Sequence, residues 1–127
     1  MTPEERDAFI REPRVAVLST VDAKGRAHAV PVWFLWRDGA FRIITDRGSQ
    51  KHRNAVRTGR AALSIVDGPK YVTAEGPVTV LDPITLDDRL ELHVHFRGED
   101  AARKVVENNR HEHMVILQIT PERWLGS

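Results

Sequence analysis

Cysteine is absent from this 127-residue chain, and so is any long apolar run. Without cysteine the chain can form no disulfide, thiol nucleophile or iron–sulfur site, and such a composition is typical of proteins from a reducing compartment. No apolar stretch approaches the length that spans a bilayer, and residues 1–14 do not have the pattern of a signal peptide. We therefore expect a cytoplasmic protein that does not enter the membrane.

A large net charge is absent too, since 19 Lys and Arg residues stand against 18 Asp and Glu residues and leave a formal charge of +1. Nothing in this balance requires a nucleic acid as partner, and we expect none. The basic residues are nevertheless unevenly distributed. They are dense from residue 47 to 60, at Arg47, Lys51, Arg53, Arg57 and Arg60. This distribution predicts a local anion site.

The length predicts one domain, residues 1–127, because the chain is too short for a cofactor domain and a substrate domain side by side. A single small domain cannot enclose a cofactor much larger than a metal ion. If such a cofactor binds, a site shared by two copies of the chain is favoured, which indicates a homodimer.

Hydrophobic periodicity and turn residues predict six antiparallel strands with short helices between them. This pattern favours a mainly β fold, a small closed or split barrel, and not a parallel βαβ arrangement. The predicted strands are Val15–Val21, His28–Leu35, Phe41–Thr45, Ala61–Val66, Tyr71–Leu81 and Met114–Thr120. The predicted helices are Thr2–Arg11, Gln50–Thr58, Asp82–Arg97 and Glu99–Asn108, followed by a tail over residues 121–127.

Caps and breakers refine these elements. Ser49 is a good N-cap for the second helix, and Gly59 ends it. Asp82 is expected to cap the third helix, with Pro83 at its first position. Pro31 cannot donate a ladder hydrogen bond, so its strand is expected at a sheet edge or a bulge. A bulge or bend is also expected at residues 74–77.

The segment from Thr45 to Asn54 is the strongest local signal for a binding site. A strand end, a glycine loop and a capped helix start are followed at once by Lys51 and Arg53. Free backbone N–H groups and the helix dipole favour an anion there, and the cations add charge-assisted hydrogen bonds. A phosphate fits this pattern, and a solvated basic helix surface explains it equally well. The glycine and lysine spacing is not that of a P-loop.

The apolar segment 30–36, VPVWFLW, is the second signal. A flat aromatic cofactor can lie along such a strand and take hydrogen bonds from its backbone. A barrel core or a dimer-interface strand is the simpler interpretation, and composition alone favours it.

The remaining polar residues predict little catalytic machinery. His93 with His95, and His111 with His113, are spaced as metal ligands would be on a strand, but they lie in a helical and a polar segment, so we expect no metal site. No serine has the context of a nucleophile elbow, and no catalytic side chain is assigned. A bound cofactor would then supply the chemistry.

Taken together, these segments resemble the pyridoxamine-phosphate-oxidase-like family, in the short actinobacterial branch described as coenzyme F420-dependent reductases. The resemblance spans most of the chain, and it depends on the order of several short motifs. The matching segments are 15–25, 28–34 (HAVPVWF), 48–54 (GSQKHRN), 60–66, 74–76 and 119–123.

The resemblance implies a homodimeric six-stranded split barrel of the FMN-binding type, with cofactor sites in the dimer groove. It implies that Lys51 holds the cofactor phosphate, and that Tyr71 and Trp124 are candidates for contacts from the second subunit. The other residues that it implies for cofactor binding are Pro31, Val32, Trp33, Ile44, Thr45, Ser49, Arg53, Asn54 and Arg57.

By this resemblance the cofactor is F420, and the function is hydride transfer to a small electron-poor substrate such as an enone, a quinone or the tetrapyrrole biliverdin. The long anionic tail of F420 needs a basic track, which Arg53 and Arg57 with Arg14 or Lys24 can supply. Ser49 stands where some F420-binding relatives have arginine, so FMN remains the alternative. A non-catalytic cofactor- or haem-binding protein is the second alternative, with ligands at His52, His93 or His113.

Overall fold

In the computed structural model, which describes residues 1–108 and 110–126, four helices and eight strands follow one another along the chain. No helix in this described part is long and apolar enough to cross a membrane. The helices are α1 (Pro3–Arg11), α2 (Gln50–Thr58), α3 (Leu86–Arg97) and α4 (Glu99–Asn108). The strands are β1 (Ala16–Val21), β2 (Ala27–Val32), β3 (Leu35–Arg37), β4 (Ala40–Asp46), β5 (Arg60–Asp67), β6 (Lys70–Leu81), β7 (Met114–Ile119) and β8 (Arg123–Gly126).

The strands pair in the order β2-β1-β5-β6-β7-β4-β3, and β8 pairs with β6. Every pair is antiparallel. β2 and β3 lie at opposite ends of this order, although Trp33 and Phe34 alone separate them in the chain. The sheet must therefore curl until its two ends meet. This half-barrel confirms the predicted mainly β, antiparallel split barrel with peripheral helices.

The core lies inside the curl, and in β1 and β5 it follows from alternation along the strand. In β1 the inward residues Ala16 and Leu18 are buried while Val17 is exposed, and in β5 Leu63 and Ile65 repeat the pattern. Alternation of this kind is the period of a strand with one buried face. Each fully buried leucine or isoleucine side chain contributes about 1.5–3 kcal/mol of transfer free energy.

Three predicted boundaries were wrong. The predicted strand 28–35 is divided, because Phe34 is fully buried in the core and Leu35 pairs with β4 instead. The predicted tail contains β8, a strand too short to show periodicity, and residue 127 lies outside the described residues. Helix α3 begins after Thr85, which forms a capping box with Asp88.

Asp82, the predicted cap of α3, has another role. Its two carboxylate oxygens accept hydrogen bonds of 2.6 and 2.8 Å from the guanidinium of Arg47, which follows β4. This bidentate ion pair holds the pKa of Asp82 below its ordinary value. A carboxylate held in this way is not available to the first turn of α3, and Thr85 supplies the cap.

The irregularity predicted at residues 74–77 lies in the segment that faces them, between β7 and β8. β6 is continuous, but two of its residues, 76 and 77, stand opposite three residues, 120–122, between β7 and β8. One extra residue on one strand is a β-bulge. The bulge brings the Thr120 carbonyl group against Gly76, where a Cβ atom would overlap the oxygen and lie 2.9 Å from the carbonyl carbon.

We predict that Gly76→Ala lowers the free energy of unfolding by about 3 kcal/mol or more, because backbone must move to accommodate the methyl group. Gly68→Ala is the control. A Cβ atom added at Gly68 meets open space, so the strain in this variant comes only from the positive φ of 58°. This strain costs about 1–2 kcal/mol. Urea unfolding of both variants measures the difference, and equal losses would contradict the assigned contact.

Candidate functional site

A cavity of about 370 Å³ lies where the curled sheet leaves two strand edges without partners. β3 pairs only with residues 40–42 of β4, so within the described chain Ile44, Thr45 and Asp46 have a strand neighbour on one side only. β2 is the terminal strand, which confirms the predicted edge position of Pro31, and its end lines the same cavity. Ligand cavities span about 300–1,000 Å³. Two strand edges therefore offer backbone groups to a ligand.

The cavity brings together six of the twelve residues predicted for cofactor binding. Five more residues complete its wall, namely Asp46, Arg89, Leu92, His93 and Met114. The six predicted residues are Pro31, Val32, Trp33, Ile44, Thr45 and Lys51.

The start of α2 forms one end of this site. Ser49 is its N-cap, as predicted, with the hydroxyl oxygen accepting a 3.4 Å hydrogen bond from the His52 backbone N–H. The same hydroxyl is 3.1 Å from that of Thr45, which lines the cavity. Gly59 ends the helix in the left-handed conformation, also as predicted. The positive end of the helix dipole thus lies beside the cavity, where it favours an anion.

Lys51 contributes an ammonium group to the cavity wall. The residue is half-buried, and it forms no hydrogen bond or ion pair with any residue in the described ranges. The carboxylate on the wall, Asp46, lies 3.3 Å from the Nε2 atom of His113. A half-buried ammonium group that forms no ion pair is well suited to bind an anionic ligand group.

Arg53 and Asn54 do not line the cavity, and neighbouring residues engage their side chains. The Arg53 guanidinium donates to the Gly48 carbonyl oxygen at 2.6 Å and to Gln50 Oε1 at 2.5 Å. Asn54 is only 2% exposed, and its amide donates to the Thr20 hydroxyl at 3.1 Å while accepting from Gln50 at 2.7 Å. Asn54 therefore anchors α2 to β1.

Arg57 and Arg14, two of the cations predicted for a longer anionic tail, are also engaged within the protein. Arg57 donates through Nη2 to the carbonyl oxygens of Val21 and Asp22, at 2.5 and 2.6 Å, and so stabilises the turn after β1. Arg14 pairs with Asp67 at 3.1 Å. Neither arginine lines the cavity.

Neither Tyr71 nor Trp124 lines the cavity of its own protomer. Tyr71 is 41% exposed at the start of β6. The Trp124 ring packs edge-on against Trp36 and Phe41, with centroids 5.9 Å apart in both pairs, and the Arg6 guanidinium lies 4.1 Å above it.

Arg89 is a cavity residue that the sequence analysis missed. It is only 4% exposed, burial lowers the pKa of its guanidinium, and one of its contacts is a 3.4 Å hydrogen bond to the Arg110 carbonyl oxygen. A signal was present, because Arg89 precedes Leu92 by three residues and Phe96 by seven, on one face of a helix. A cation within an apolar helical stripe indicates a specific partner or ligand.

His93 and Trp33 line the cavity and contact each other and neighbouring residues of α3. The Trp33 ring stacks on Phe96, with centroids 4.5 Å apart and planes at 5°, and the Arg97 guanidinium lies 4.8 Å above Trp33. Arg97 Nε also donates to His93 Nδ1 at 3.2 Å. Burial, followed by the charges of Arg89 and Arg97, lowers the pKa of His93.

The hydrogen bonds of two histidines argue against their serving as haem ligands. Nδ1 of His52 accepts from the Gly48 backbone N–H at 2.9 Å, and Nδ1 of His93 accepts from Arg97. In a neutral ring the proton is then on Nε2, whereas a metal-bound histidine usually donates its second N–H to an acceptor. Among residues 1–108 and 110–126, no group of three or more potential ligands could hold a metal ion.

The sequence identifies the class of protein. A profile of the pyridoxamine 5'-phosphate oxidase family matches residues 2–127, and the chain belongs to that family. It is 36% identical over 122 residues to the F420H(2)-dependent biliverdin reductase of Mycobacterium tuberculosis (strain CDC 1551 / Oshkosh), covering 94% of this chain and 84% of that protein.

Solved structures show the same fold. A conserved hypothetical protein from Mycobacterium tuberculosis superposes with a TM-score of 0.86 at 23% identity, covering 99% of this chain and 84% of the other. A protein described as an F420 reductase superposes with a TM-score of 0.81 at 22% identity, covering 98% of each chain.

We predict that stability falls as the pH drops below about 6.5, the ordinary pKa of histidine. The pKa values of His93 and His95 are lowered in the folded state, chiefly by burial. As the pH falls, the unfolded chain therefore binds protons first, and this stabilises it relative to the folded chain. Urea midpoints measured from pH 7.5 to 5.5 test this. His93→Phe should reduce the slope, and an unchanged slope in a His93→Phe, His95→Phe double variant would contradict the assignment.

Proposed function

We propose that this chain is a coenzyme F420-dependent reductase, which transfers a hydride between the deazaflavin and a small electron-poor substrate. One observation carries the proposal: Lys51, which forms no ion pair with any described residue, lies in the first turn of α2 on a cavity between two open strand edges. The name of the 36% identical relative, an F420H(2)-dependent biliverdin reductase, supports F420 as the cofactor.

The residues present fit the two parts of such a cofactor. Lys51, the N-terminal backbone of α2 and the hydroxyl groups of Thr45 and Ser49 are suited to a phosphate. The open edges at residues 31–33 and at Ile44 are suited to the polar rim of a flat ring. When bound, F420 supplies hydride-transfer chemistry, and the chain supplies binding and orientation.

The proposed substrate class is an enone, a quinone or a tetrapyrrole such as biliverdin. The name of the relative favours biliverdin, and so does the α3 side of the cavity, where Arg89 and His93 can meet oxygen atoms of a conjugated substrate.

Cofactor titration with a charge variant is the first test. Lys51→Ala should weaken F420 binding by about 2 kcal/mol, roughly thirtyfold, because a half-buried phosphate loses its charge-assisted partner. Lys104→Ala, on α4 and outside the cavity, is the matched control and should bind as the wild type does. F420 fluorescence measures both affinities. Micromolar binding of FMN by the apoprotein, with none of F420, would instead establish the FMN alternative.

Turnover separates an enzyme from a binding protein. Reduced F420 mixed with the wild-type protein should be oxidised when biliverdin, a quinone or an enone is added, and the absorbance of F420 reports the rate. Loss of turnover in Lys51→Ala at limiting cofactor should parallel its loss of affinity. A protein that binds F420 tightly but consumes none with any acceptor is a cofactor carrier and not a reductase.

We also propose that the protein is a homodimer that forms through the outer face of β1, β5 and β6. Three valines and a tyrosine are exposed there: Val17 by 38%, Val21 by 44%, Val66 by 61% and Tyr71 by 41%. An apolar patch of this kind on a sheet face marks an interaction surface. Tyr71 is then a candidate for contact with the partner's cofactor, whereas Trp124 is held by its own core.

Val17→Glu should dissociate this dimer, because it places a charge on the apolar face. Leu86→Glu, at an exposed apolar position in the first turn of α3, is the control and should leave the assembly unchanged. Sedimentation velocity measures the assembly. A monomeric wild-type protein that binds F420 would disprove the shared site.

A further inference from the structure

His93 is a polar group on the α3 side of the cavity wall. It lies on α3, whereas the proposed phosphate-binding groups lie on α2 and at the end of β4. A ligand that occupies the α3 side of the cavity therefore meets His93, and this side is separate in the chain from the Lys51 side.

The hydrogen bond from Arg97 fixes the tautomer of His93. A guanidinium group is always a donor, so Nδ1, which receives the Arg97 Nε–H at 3.2 Å, cannot carry a proton. The proton of the neutral ring is then on Nε2. No described residue forms a hydrogen bond with this Nε2 atom, so its N–H is left to a ligand or to water.

Packing holds the ring in place. The edge of the His93 ring lies against Trp33, with centroids 5.8 Å apart and planes at 74°. Trp33 is itself held between Phe96, on which it stacks, and the Arg97 guanidinium. A donor whose rotamer is fixed by its neighbours loses little conformational entropy when a ligand binds.

We propose that His93 is a substrate-binding residue, whose neutral ring donates a hydrogen bond from Nε2–H to an oxygen acceptor on the substrate. This assignment rests on the proposed function and names the chemistry of the substrate side. Acceptors with negative charge are favoured, because Arg89 on the same wall and Arg97 beyond the ring make the surroundings positive. In biliverdin the acceptor is a lactam oxygen or a propionate carboxylate.

Binding of biliverdin to the cofactor-free protein tests the hydrogen bond. His93→Phe keeps the aromatic packing against Trp33 and removes the donor, so the dissociation constant should rise about tenfold. His93→Gln keeps an N–H donor and should stay within about threefold of the wild type. Absorbance titration with biliverdin and with its dimethyl ester separates the two acceptors. A tenfold effect with both probes indicates the lactam oxygen, and an effect with biliverdin alone indicates the carboxylate.

The tautomer has an independent readout in the ¹⁵N NMR shifts of the His93 ring. The wild type should show a protonated Nε2 and an unprotonated Nδ1. Arg97→Met, which keeps a long side chain over Trp33 but removes the donor, should show a mixture of tautomers and weaker biliverdin binding. Arg103→Met removes another exposed arginine, paired with Glu99 on α4, and should change neither property.

Two outcomes would overturn the assignment: a wild-type ring with its proton on Nδ1, or a His93→Phe variant that binds biliverdin as tightly as the wild type. Wild-type protein that binds neither probe also overturns it. Failure of the proposed function is distinguishable, because it appears as absent F420 binding in the wild type, whatever the result of the biliverdin titrations.

Discussion

The link of two residues between β2 and β3 is the constraint on which the rest of the structure depends. These strands occupy opposite ends of the hydrogen-bonded order, yet only Trp33 and Phe34 join them. Phe34 is fully buried among the core residues. Its side chain therefore anchors the link to the core. The sheet closes on itself because its ends are tied, and right-handed strand twist assists this closure.

Closure without pairing produces the cavity. β3 is three residues long and covers only the first half of β4, so the second half of β4 and the end of β2 face each other across a gap. Helix α2 begins four residues after β4 ends, which places its positive end at the same gap. Open backbone edges, a helix terminus and Lys51 are thus brought together by topology, without any long-range motif in the sequence.

Local signals predicted much of this arrangement. Ser49 and Gly59 mark the ends of α2, and Pro31 marks an edge strand, because caps and ring geometry act within a few residues. Arg57 shows the limit of such signals. Its position in a basic segment resembles that of a ligand-binding cation, but its guanidinium is engaged by carbonyl oxygens 35 and 36 residues away in the chain. Arg89 stands in an apolar helical stripe, which indicates a partner, but its place at the cavity was not predicted because only the tertiary fold brings α3 there.

The two sides of the cavity differ in how firmly they are held. On the α2 side, Asn54 is buried and bonded to β1, so a change there disturbs the core. On the α3 side, the ties to the sheet include the ion pairs of Arg37 and Arg42 and the stacking of Trp33. Partly exposed ion pairs each contribute about 0–1 kcal/mol. These ion pairs can therefore change at little cost to stability, whereas Arg89 and Leu92 are buried and a change at either disturbs packing.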